Sequence, residues 1–325
     1  MVLGLEQPSN ENGITYLPYV TVFPSGEQWT IRHGDHEAVV VEVGGGLRTY
    51  AFRGRDVLAG YPPDARCTAG RGQLLLPWPN RIRDGRYSFA GTEHQLALTE
   101  PERGNAAHGL VRWAIWSVVE RAEETVTLGC RLRPQPGWEW SLDLSVTYAM
   151  TASGLIVTPG ARNVGTHAAP FGLGAHPYLS VGEDRVDEVV LGIPAASLLE
   201  MDDRLLPTGL ASVDGTGQDF REPRVLGELE LDTAFTNIVA DPDGRWRVTI
   251  AHPHTGRVVT VWADATAYPW LQVFTGDSLP SAARRTSGIA VEPMTCPPDA
   301  FNSGDDLLVL APGQEFAAPW GITPG

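Results

Sequence analysis

The sequence predicts an all-β protein that folds as one large antiparallel β-sandwich with few short helices. Apolar and polar residues alternate along many segments, as in strands with one buried face, and helical periodicity is nearly absent. The 36 glycines and 26 prolines are spread evenly, so turn signals recur about every ten residues, a spacing typical of sandwiches and barrels. With 325 residues, 42% of them hydrophobic, the chain can bury a substantial core.

Four segments predict strands most clearly. HEAVVVEVGGGLRTYAFRG contains two strands around three glycines, and RYSFAGTEHQL is a tight hairpin that turns at Ala90, Gly91 and Thr92. WSLDLSVTYAM places alternate apolar residues, from Trp140 to Tyr148, on one face. RWRVTIAHPHTGRVVTVWAD is a longer hairpin with its turn within HPHTG. These segments predict an antiparallel arrangement.

The remaining organisation follows from the breaks in the pattern. A helix is predicted in PAASLLEMDD, which Pro207 and Gly209 soon follow. GIAV is predicted to be a buried strand with Glu292 at its mouth, before Pro297 and Pro298. No Ser/Gly linker, charge block or internal repeat divides the chain. Residues 1–325 are therefore predicted to form one domain, with a division near residue 160 as the alternative.

Charge and composition exclude several kinds of function. The net charge of −15 and pI of about 4.9 would repel nucleic acid and anionic membranes, both of which require a basic face. All 24 basic residues are arginine. The absence of lysine excludes a Schiff-base lysine, a pyridoxal-phosphate anchor, a phosphate-loop lysine and a lysine general base. A neutral or cationic small molecule is the expected partner.

The cysteines and the N-terminal sequence indicate a compartment. Cys67, Cys130 and Cys296 are odd in number and form no CxxC pair, which favours a reducing environment. Cys296 is interpreted as a buried, unreactive thiol. The first residues lack a basic segment followed by an apolar core, and no stretch reaches membrane-spanning length. We expect a soluble, cytoplasmic protein that is a monomer or a weak homodimer.

A few polar side chains lie in otherwise apolar, strand-like surroundings, each beside a rigid proline, glycine or aromatic residue. The stretches that contain them are LLLPWPNRIRDG, NAAHGLVRW, FGLGAHPYLS, LELDTAFTNI and GIAVEPMTCPPDAFNSG. The residues are Asn80, Arg81, His108, His176, Asp232 and Glu292. Loops at strand ends carry the functional residues of many β-proteins, so residues scattered along the chain can meet in one groove.

Each of these residues also has a purely structural interpretation. Either histidine could be a satisfied core residue, and Asn80 could serve a turn. Arg81 could pair with Asp84, and Asp232 could cap a short turn. Glu292 could be a buried acid paired with an arginine. The presence of all of them in one chain, each beside a rigid proline, glycine or aromatic residue, favours a functional site.

The set of motifs resembles that of the aldose 1-epimerases, or galactose mutarotases. NRIRDGRYSF is similar to an Asn-Arg-Ile motif followed by glycine and an aromatic residue, and HGLVRW is similar to a His-Gly before a strand. HPYL resembles the second histidine-aromatic pair, DTAF an Asp-x-x-Phe motif, and EPMTCPPDAFNSG a glutamate followed by Pro-Asp-Ala-x-Asn. The resemblance runs from about residue 30 to the C-terminus and implies the large β-sandwich already inferred.

Two departures separate the chain from well-known members of that family. Met294 replaces a glutamine two residues after the glutamate, and Leu179 and Ser180 replace an Asn-Leu pair. The sequence is more similar to a bacterial branch that carries EPMTCPP. These differences bear on the identity of the sugar.

The resemblance implies a mutarotase that interconverts the α and β anomers of a free aldose. Glu292 would be the base and His176 the acid, and His108 would hydrogen-bond near the ring oxygen as a third catalytic residue. Arg81 and Asp232 would bind sugar hydroxyls, and Asn80 would fix the loop that carries Arg81. No metal or organic cofactor is expected.

An aromatic residue commonly covers the apolar face of a pyranose. Trp78, Phe235 and Trp270 are the candidates for this role, although a core position is the favoured interpretation for each.

Other functions remain open from the sequence. The same sandwich could bind carbohydrate without catalysis. HPH at residues 252–254 and HGDH at residues 33–36 contain residue types that ligate metals, although the turn HPHTG is a sufficient explanation of the first. A hexose-6-phosphate mutarotase would need extra arginines, for which Arg71, Arg83, Arg86 and Arg112 are available. A glycoside hydrolase would need a second well-placed carboxylate, and none is found.

Overall fold

The computed structural model describes residues 22–182, 185–286 and 288–325, and regular structure in these ranges is almost entirely β-strand. The first strands in chain order are β1 (Gln28–His33), β2 (His36–Val41), β3 (Leu47–Phe52), β4 (Arg55–Asp56), β5 (Leu74–Leu75), β6 (Arg81–Arg83), β7 (Arg86–Phe89), β8 (Thr92–Gln95), β9 (Asn105–Ala107), β10 (Ser117–Arg121), β11 (Thr125–Leu132), β12 (Leu142–Thr151), β13 (Gly154–Asn163) and β14 (Ala169–Phe171).

The later strands are β15 (Gly174–Ala175), β16 (Tyr178–Leu179), β17 (Val190–Gly192), β18 (Ala195–Met201), β19 (Pro207–Ser212), β20 (Arg224–Val225), β21 (Asp232–Ile238), β22 (Arg245–Ala251), β23 (Val258–Asp264), β24 (Trp270–Phe274), β25 (Ile289–Met294), β26 (Leu308–Leu310), β27 (Glu315–Ala317) and β28 (Trp320–Pro324). Helical structure in the described ranges consists of α1 (Ala300–Ser303) and a 3₁₀ turn at Val186–Glu188. No described helix has the length and hydropathy needed to cross a bilayer.

Two large antiparallel sheets form the sandwich. The ten-stranded sheet has the order β10-β11-β12-β13-β28-β23-β22-β17-β20, and β27 also pairs with β13. The eight-stranded sheet has the order β19-β18-β21-β24-β25-β15-β5, and β16 also pairs with β25. A four-stranded sheet, β1 to β4, and three two-stranded ribbons complete the fold. The predicted all-β sandwich is confirmed.

One continuous cluster of buried apolar side chains lies between the sheets. Val146 and Val261 enter it from the ten-stranded sheet, and Leu271 and Val291 enter it from the eight-stranded sheet. In β12 the buried residues alternate with more exposed ones, as the sequence predicts. The two predicted hairpins are also present, as β7-β8 and β22-β23. Burial of one face of strands such as β12 and β22 thus accounts for their alternating pattern.

The predicted helix in PAASLLEMDD is wrong, because these residues form β18. Its backbone pairs with β19 on one side and β21 on the other, and Ala195 and Leu198 are buried. The helical propensity of this segment is weak compared with the hydrogen bonds and packing available between two neighbouring strands.

The prediction of one domain over residues 1–325 stays a prediction. Residues 1–21, which include the N-terminal segment used to predict the cellular location, lie outside the described residues. Residue 160, the alternative point of division, lies inside β13 and pairs with both β12 and β27.

Candidate active site

A cavity of about 220 Å³ opens on the eight-stranded sheet. Six of the residues that line it are those predicted from the sequence: Asn80, Arg81, His108, His176, Asp232 and Glu292. They come from strands and loops separated by more than two hundred positions, and the fold brings all of them to one place. Their chemical roles stay predictions.

Glu292 is placed by the alternation of β25. Val291 points into the main core, and Glu292 on the opposite face lines the cavity with only 2% of its surface exposed. The strand does not end at Glu292, because pairing with β24 continues to Met294. Gln272 on β24 lies directly opposite Glu292 in the strand register. A rigid interior strand therefore holds the carboxyl group.

His176 lies between β15 and β16 and is fixed on several sides. Its backbone N–H donates to the carbonyl of Gln73 at 3.1 Å, and its ring stacks on Tyr178 with centroids 5.0 Å apart. Gly70 approaches the ring so closely that an added Cβ would lie 2.8 Å from Cδ2. Packing therefore leaves the imidazole little freedom to rotate.

Glu292 and His176 contact each other directly in the cavity. Nε2 of His176 lies 3.3 Å from Oε1 of Glu292, and the ring of His108 stands edge-on to that of His176 at 5.6 Å. Oε2 of Glu292 and Nδ1 of each histidine are buried without a hydrogen-bond partner among the described residues. Such unsatisfied groups are costly in a folded protein and commonly mark functional sites.

Burial decides where the proton of this pair resides. Desolvation raises the pKa of Glu292 well above its ordinary value; the charge of Asp232 adds to this, and Arg81 and Arg112 oppose it. Desolvation, followed by the charge of Arg112, lowers the pKa of His176. The contact has the geometry of an ion pair, but burial disfavours both charges. We therefore describe the resting pair as neutral, with one shared proton.

Two residues near Arg81, the first residue of β6, have an unusual backbone conformation. Asn80 has φ of 54° and His108 has φ of 64°, a region that few residues other than glycine adopt. The N–H of His108 donates to the carbonyl of Asn80 at 2.8 Å, and Nη1 of Arg81 donates to Oδ1 of Asn80 at 3.3 Å. Asn80 thus joins the residues around Arg81 to His108, and its role at the site stays a prediction.

Arg81 does not pair with Asp84, one of its possible partners in the sequence interpretation. Its Nε and Nη2 donate to the two oxygens of Glu100 at 2.7 and 3.0 Å, while Asp84 accepts a hydrogen bond from Arg204. Asp232 lies 3.9 Å from Nη2 of Arg81. The guanidinium group therefore stands between two carboxylates of the cavity.

Several lining residues were missed from the sequence, and Gln272 and Glu100 are the most informative. Gln272 interrupts the apolar strand WLQVF, so the search for polar residues in apolar surroundings could have found it. It is 1% exposed, and its Nε2 donates to Asp232 at 2.6 Å. Glu100 lies in the charged turn TEPERGN, where no local pattern distinguishes it from a surface residue.

Arg112, one of the four arginines considered for binding a phosphate group, also lines the cavity. Its Nε donates to Oε1 of Gln73 at 2.7 Å, and Nε2 of Gln73 donates back to the carbonyl of Arg112 at 2.9 Å. No described carboxylate forms a salt bridge with it. The other three arginines considered for a phosphate group are not among the residues that line the cavity: Arg71, Arg83 and Arg86.

The aromatic residues proposed to cover the sugar are core residues. Trp78 and Phe235 belong to the main core, and Trp270 packs with Met294 in a second small cluster. The aromatic side chains that line the cavity are Tyr178 and Phe274. Among the described residues, no group of three or more histidine, cysteine, aspartate or glutamate side chains could hold a metal ion.

Solved structures of galactose mutarotase-like proteins share this fold. The GalM/aldose epimerase homologue from C. elegans superimposes with a TM-score of 0.82 at 22% identity, covering 92% of this chain and 99% of that one. The galactose 1-epimerase from Lactobacillus acidophilus NCFM gives a TM-score of 0.77 at 19% identity, covering 92% and 94%. At these identities the similarity shows the fold.

The sequence itself shows the family. Residues 27–323 match the family described as Aldose 1-epimerase, and the chain belongs to it. The chain is 36% identical over 291 residues to the Uncharacterized protein YihR of Escherichia coli (strain K12). The aligned region covers 89% of this chain and 91% of that protein. The resemblance to the aldose 1-epimerase family is therefore confirmed, and the similarity to a bacterial branch that carries EPMTCPP stays a prediction.

Proposed function

We propose that this protein is an aldose 1-epimerase that interconverts the α and β anomers of a free aldose. The observation that carries the proposal is the 3.3 Å contact between His176 and Glu292 inside a cavity of sugar size. The two oxygens attached to C1 of a pyranose lie side by side. Two groups in direct contact can reach both of them at once, one as base and one as acid.

The reaction is a pair of balanced proton transfers. Ring opening moves the C1 hydroxyl proton to the Glu292 carboxylate and a proton from the His176 imidazolium to the ring oxygen, as the C1–O5 bond breaks. Rotation about C1–C2 presents the other face of the aldehyde. Closure returns the C5 hydroxyl proton to His176 and the proton of Glu292 to the carbonyl oxygen.

The starting ion pair forms when a proton moves from Glu292 to His176 in the neutral resting pair, a transfer that burial opposes, and ring opening restores the neutral pair. Opening converts the ion pair into the neutral pair, and the cavity disfavours isolated charges, so the open-chain stage is the one that burial stabilises. Arg81 and Arg112, both near Glu292, help the carboxylate to form when the sugar binds. His108, kept neutral by burial and by Arg112, would hydrogen-bond near the ring oxygen.

Arg81 and Asp232 are proposed to hold sugar hydroxyls. Oδ1 of Asp232 accepts from Gln272, and its Oδ2, 3.9 Å from Nη2 of Arg81, is the oxygen proposed to accept a hydrogen bond from a sugar hydroxyl. Phe274 and Tyr178 supply the apolar side of the cavity. The roles assigned to Asn80 and His108 depend on the backbone link between them.

A second candidate is an aldose with an anionic substituent, such as a hexose 6-phosphate. Arg112 favours it, because this guanidinium lines the cavity, is held by an uncharged glutamine and has no carboxylate partner among the described residues. Arg103 lines the same cavity. Arginine is well suited to bind phosphate oxygens in pairs.

The direct test is anomer exchange measured by NMR saturation transfer on a panel of free and phosphorylated aldoses. We expect exchange well above the uncatalysed rate for at least one neutral aldose. Faster exchange of phosphorylated sugars only, with loss of that preference in Arg112→Gln, would select the second candidate. Binding by calorimetry without exchange for any sugar would contradict both and leave a carbohydrate-binding protein.

A further inference from the structure

Glu100 lines the proposed sugar cavity, and both of its carboxylate oxygens accept hydrogen bonds from neighbouring side chains. Its Oε2 accepts from Nε of Arg81 at 2.7 Å and Nδ2 of Asn105 at 3.2 Å. Its Oε1 accepts from Nη2 of Arg81 at 3.0 Å and Nη1 of Arg103 at 2.9 Å. Two oxygens that each accept two hydrogen bonds have no capacity left for a sugar hydroxyl. Glu100 therefore acts on other residues of the site.

Two carboxylates, those of Glu100 and Asp232, lie close enough to Arg81 to form an ion pair with it. Its side chain is 10% exposed, and Asp232 lies 3.9 Å from the same Nη2 that Glu100 binds. A buried guanidinium needs a counter-charge, and the bidentate arrangement is the strongest one available. Glu100 provides that arrangement, so the Arg81–Asp232 contact stays longer than a hydrogen bond.

The acidities of the two carboxyl groups reflect this division. Burial alone would raise the pKa of Glu100, but the hydrogen bonds and charge of Arg81 outweigh burial and lower it. Burial raises the pKa of Asp232, and the charge of Arg81 is too distant to reverse that. Arg81 thus forms its hydrogen bonds with Glu100, and Oδ2 of Asp232 remains able to accept a hydrogen bond from a ligand.

We propose that Glu100 is a positioning residue that prevents Arg81 and Asp232 from pairing with each other. By binding the Nε–Nη2 edge of the guanidinium, it leaves the remaining edge of Arg81 and the Oδ2 oxygen of Asp232 available for neighbouring sugar hydroxyls. Without it, the nearest carboxylate for Arg81 is Asp232, and the two sugar-binding groups would satisfy each other. This inference rests on the proposed function for its kinetic consequences.

The test is Glu100→Gln, which keeps the size of the side chain and removes its charge. We expect KM for the preferred aldose to rise by about tenfold to a hundredfold, the range expected when hydrogen bonds to charged groups are lost, while kcat and its pH profile change little. The effect should shrink in the background of Asp232→Asn, where Arg81 has no second carboxylate to pair with. Equal effects of Glu100→Gln in both backgrounds would overturn the proposal.

A surface pair offers the matched control. Arg131 binds Asp143 through the same two-nitrogen arrangement at 2.5 and 2.8 Å, and both side chains are exposed. Asp143→Asn removes a carboxylate from a bidentate arginine pair far from the cavity and should leave KM unchanged. If Glu100→Gln fails to fold, Glu100→Asp keeps the charge but is too short to bind both nitrogens, and a smaller rise in KM is expected.

A crystal structure of Glu100→Gln separates this inference from the proposed function. We expect Nη2 of Arg81 within hydrogen-bond distance of Asp232. An Arg81 that stays in place would overturn the positioning role, whether or not the protein is active. Absence of anomer exchange in the wild-type protein, together with a displaced Arg81, would count against the function alone.

Discussion

Glu292 and His176 are unusual because each is buried beside the other with too few hydrogen-bond partners. A pair that shares one proton has a total charge of zero, and a dry cavity resists both the gain of a second proton and the loss of the first. The relevant acidities belong to the pair and not to either residue. The pH range over which the pair keeps one proton is therefore wide.

This coupling predicts a broad pH profile. With ordinary pKa values of about 4.3 for Glu and 6.5 for His, the pair would hold one proton only between those two pH values. The raised pKa of Glu292 and the lowered pKa of His176 widen the range in both directions. We expect kcat/KM to stay level as the pH rises above about 6.5. A fall in kcat/KM that follows a single group of pKa near 6.5 would show that the pair titrates as separate residues.

Individual residues were recognisable in the sequence where a polar group interrupts an apolar strand or follows a proline. His176 and Glu292 satisfy this criterion, and Gln272 satisfies it too, although it was overlooked. Arg112 satisfies it as well, because it interrupts the apolar stretch GLVRWAIW. Glu100 does not, because its surroundings in the sequence are charged, and only the tertiary fold shows that its side chain turns towards the cavity.

Strands and loops fix the positions of the side chains in the site. β25 fixes Glu292 from both sides, and the loop before β5 brings Gly70 against the ring of His176. Strand positions were predictable from alternation, since burial of one face is a local signal. β18 was not, because its sequence favours helix and only the neighbouring strands β19 and β21 impose the extended conformation.

The contact at Gly70 leads to a prediction about this loop. Gly70→Ala places a Cβ 2.8 Å from Cδ2 of His176 at φ of 73°, so the ring must move. We expect kcat to fall by at least about tenfold, since small displacements of an acid–base group are costly. Activity should be measured beside the free energy of unfolding, from which about 1 kcal/mol is expected to be lost through backbone strain.

Gly91→Ala is the matched control for this change. Gly91 has φ of 83° in the β7–β8 turn, and an added Cβ meets nothing within 4 Å. It should lose a similar free energy of unfolding and keep full activity. Equal activities of the two variants would contradict the claim that Gly70 positions His176.

The molecule as a whole combines a large apolar core with one buried polar site. Its fold class, its family and six lining residues could be predicted from the sequence, because they depend on alternation and on motifs. The protonation state of the site could not, because it depends on how completely two sheets and several loops exclude water from Glu292. That burial makes the site a cost to the stability of the entire fold.

The sign of this cost follows from linkage. The folded pKa of Glu292 lies above its unfolded value, so its favourable contribution to stability is complete below about pH 4.3 and is lost as the pH rises towards the folded pKa. At neutral pH the wild-type protein therefore carries a penalty that an amide at this position lacks. Glu292→Gln should therefore be more stable than the wild type at neutral pH, and this difference should shrink as the pH falls towards about 4.3.

The most direct measurement is anomer exchange of Glu292→Gln and His176→Asn on the preferred aldose, made beside their unfolding free energies. The account predicts that both variants fold and lose most activity, and that the stability of Glu292→Gln relative to the wild type increases as the pH rises. Near-wild-type exchange by folded Glu292→Gln would contradict the central claim that this buried carboxyl group transfers the proton.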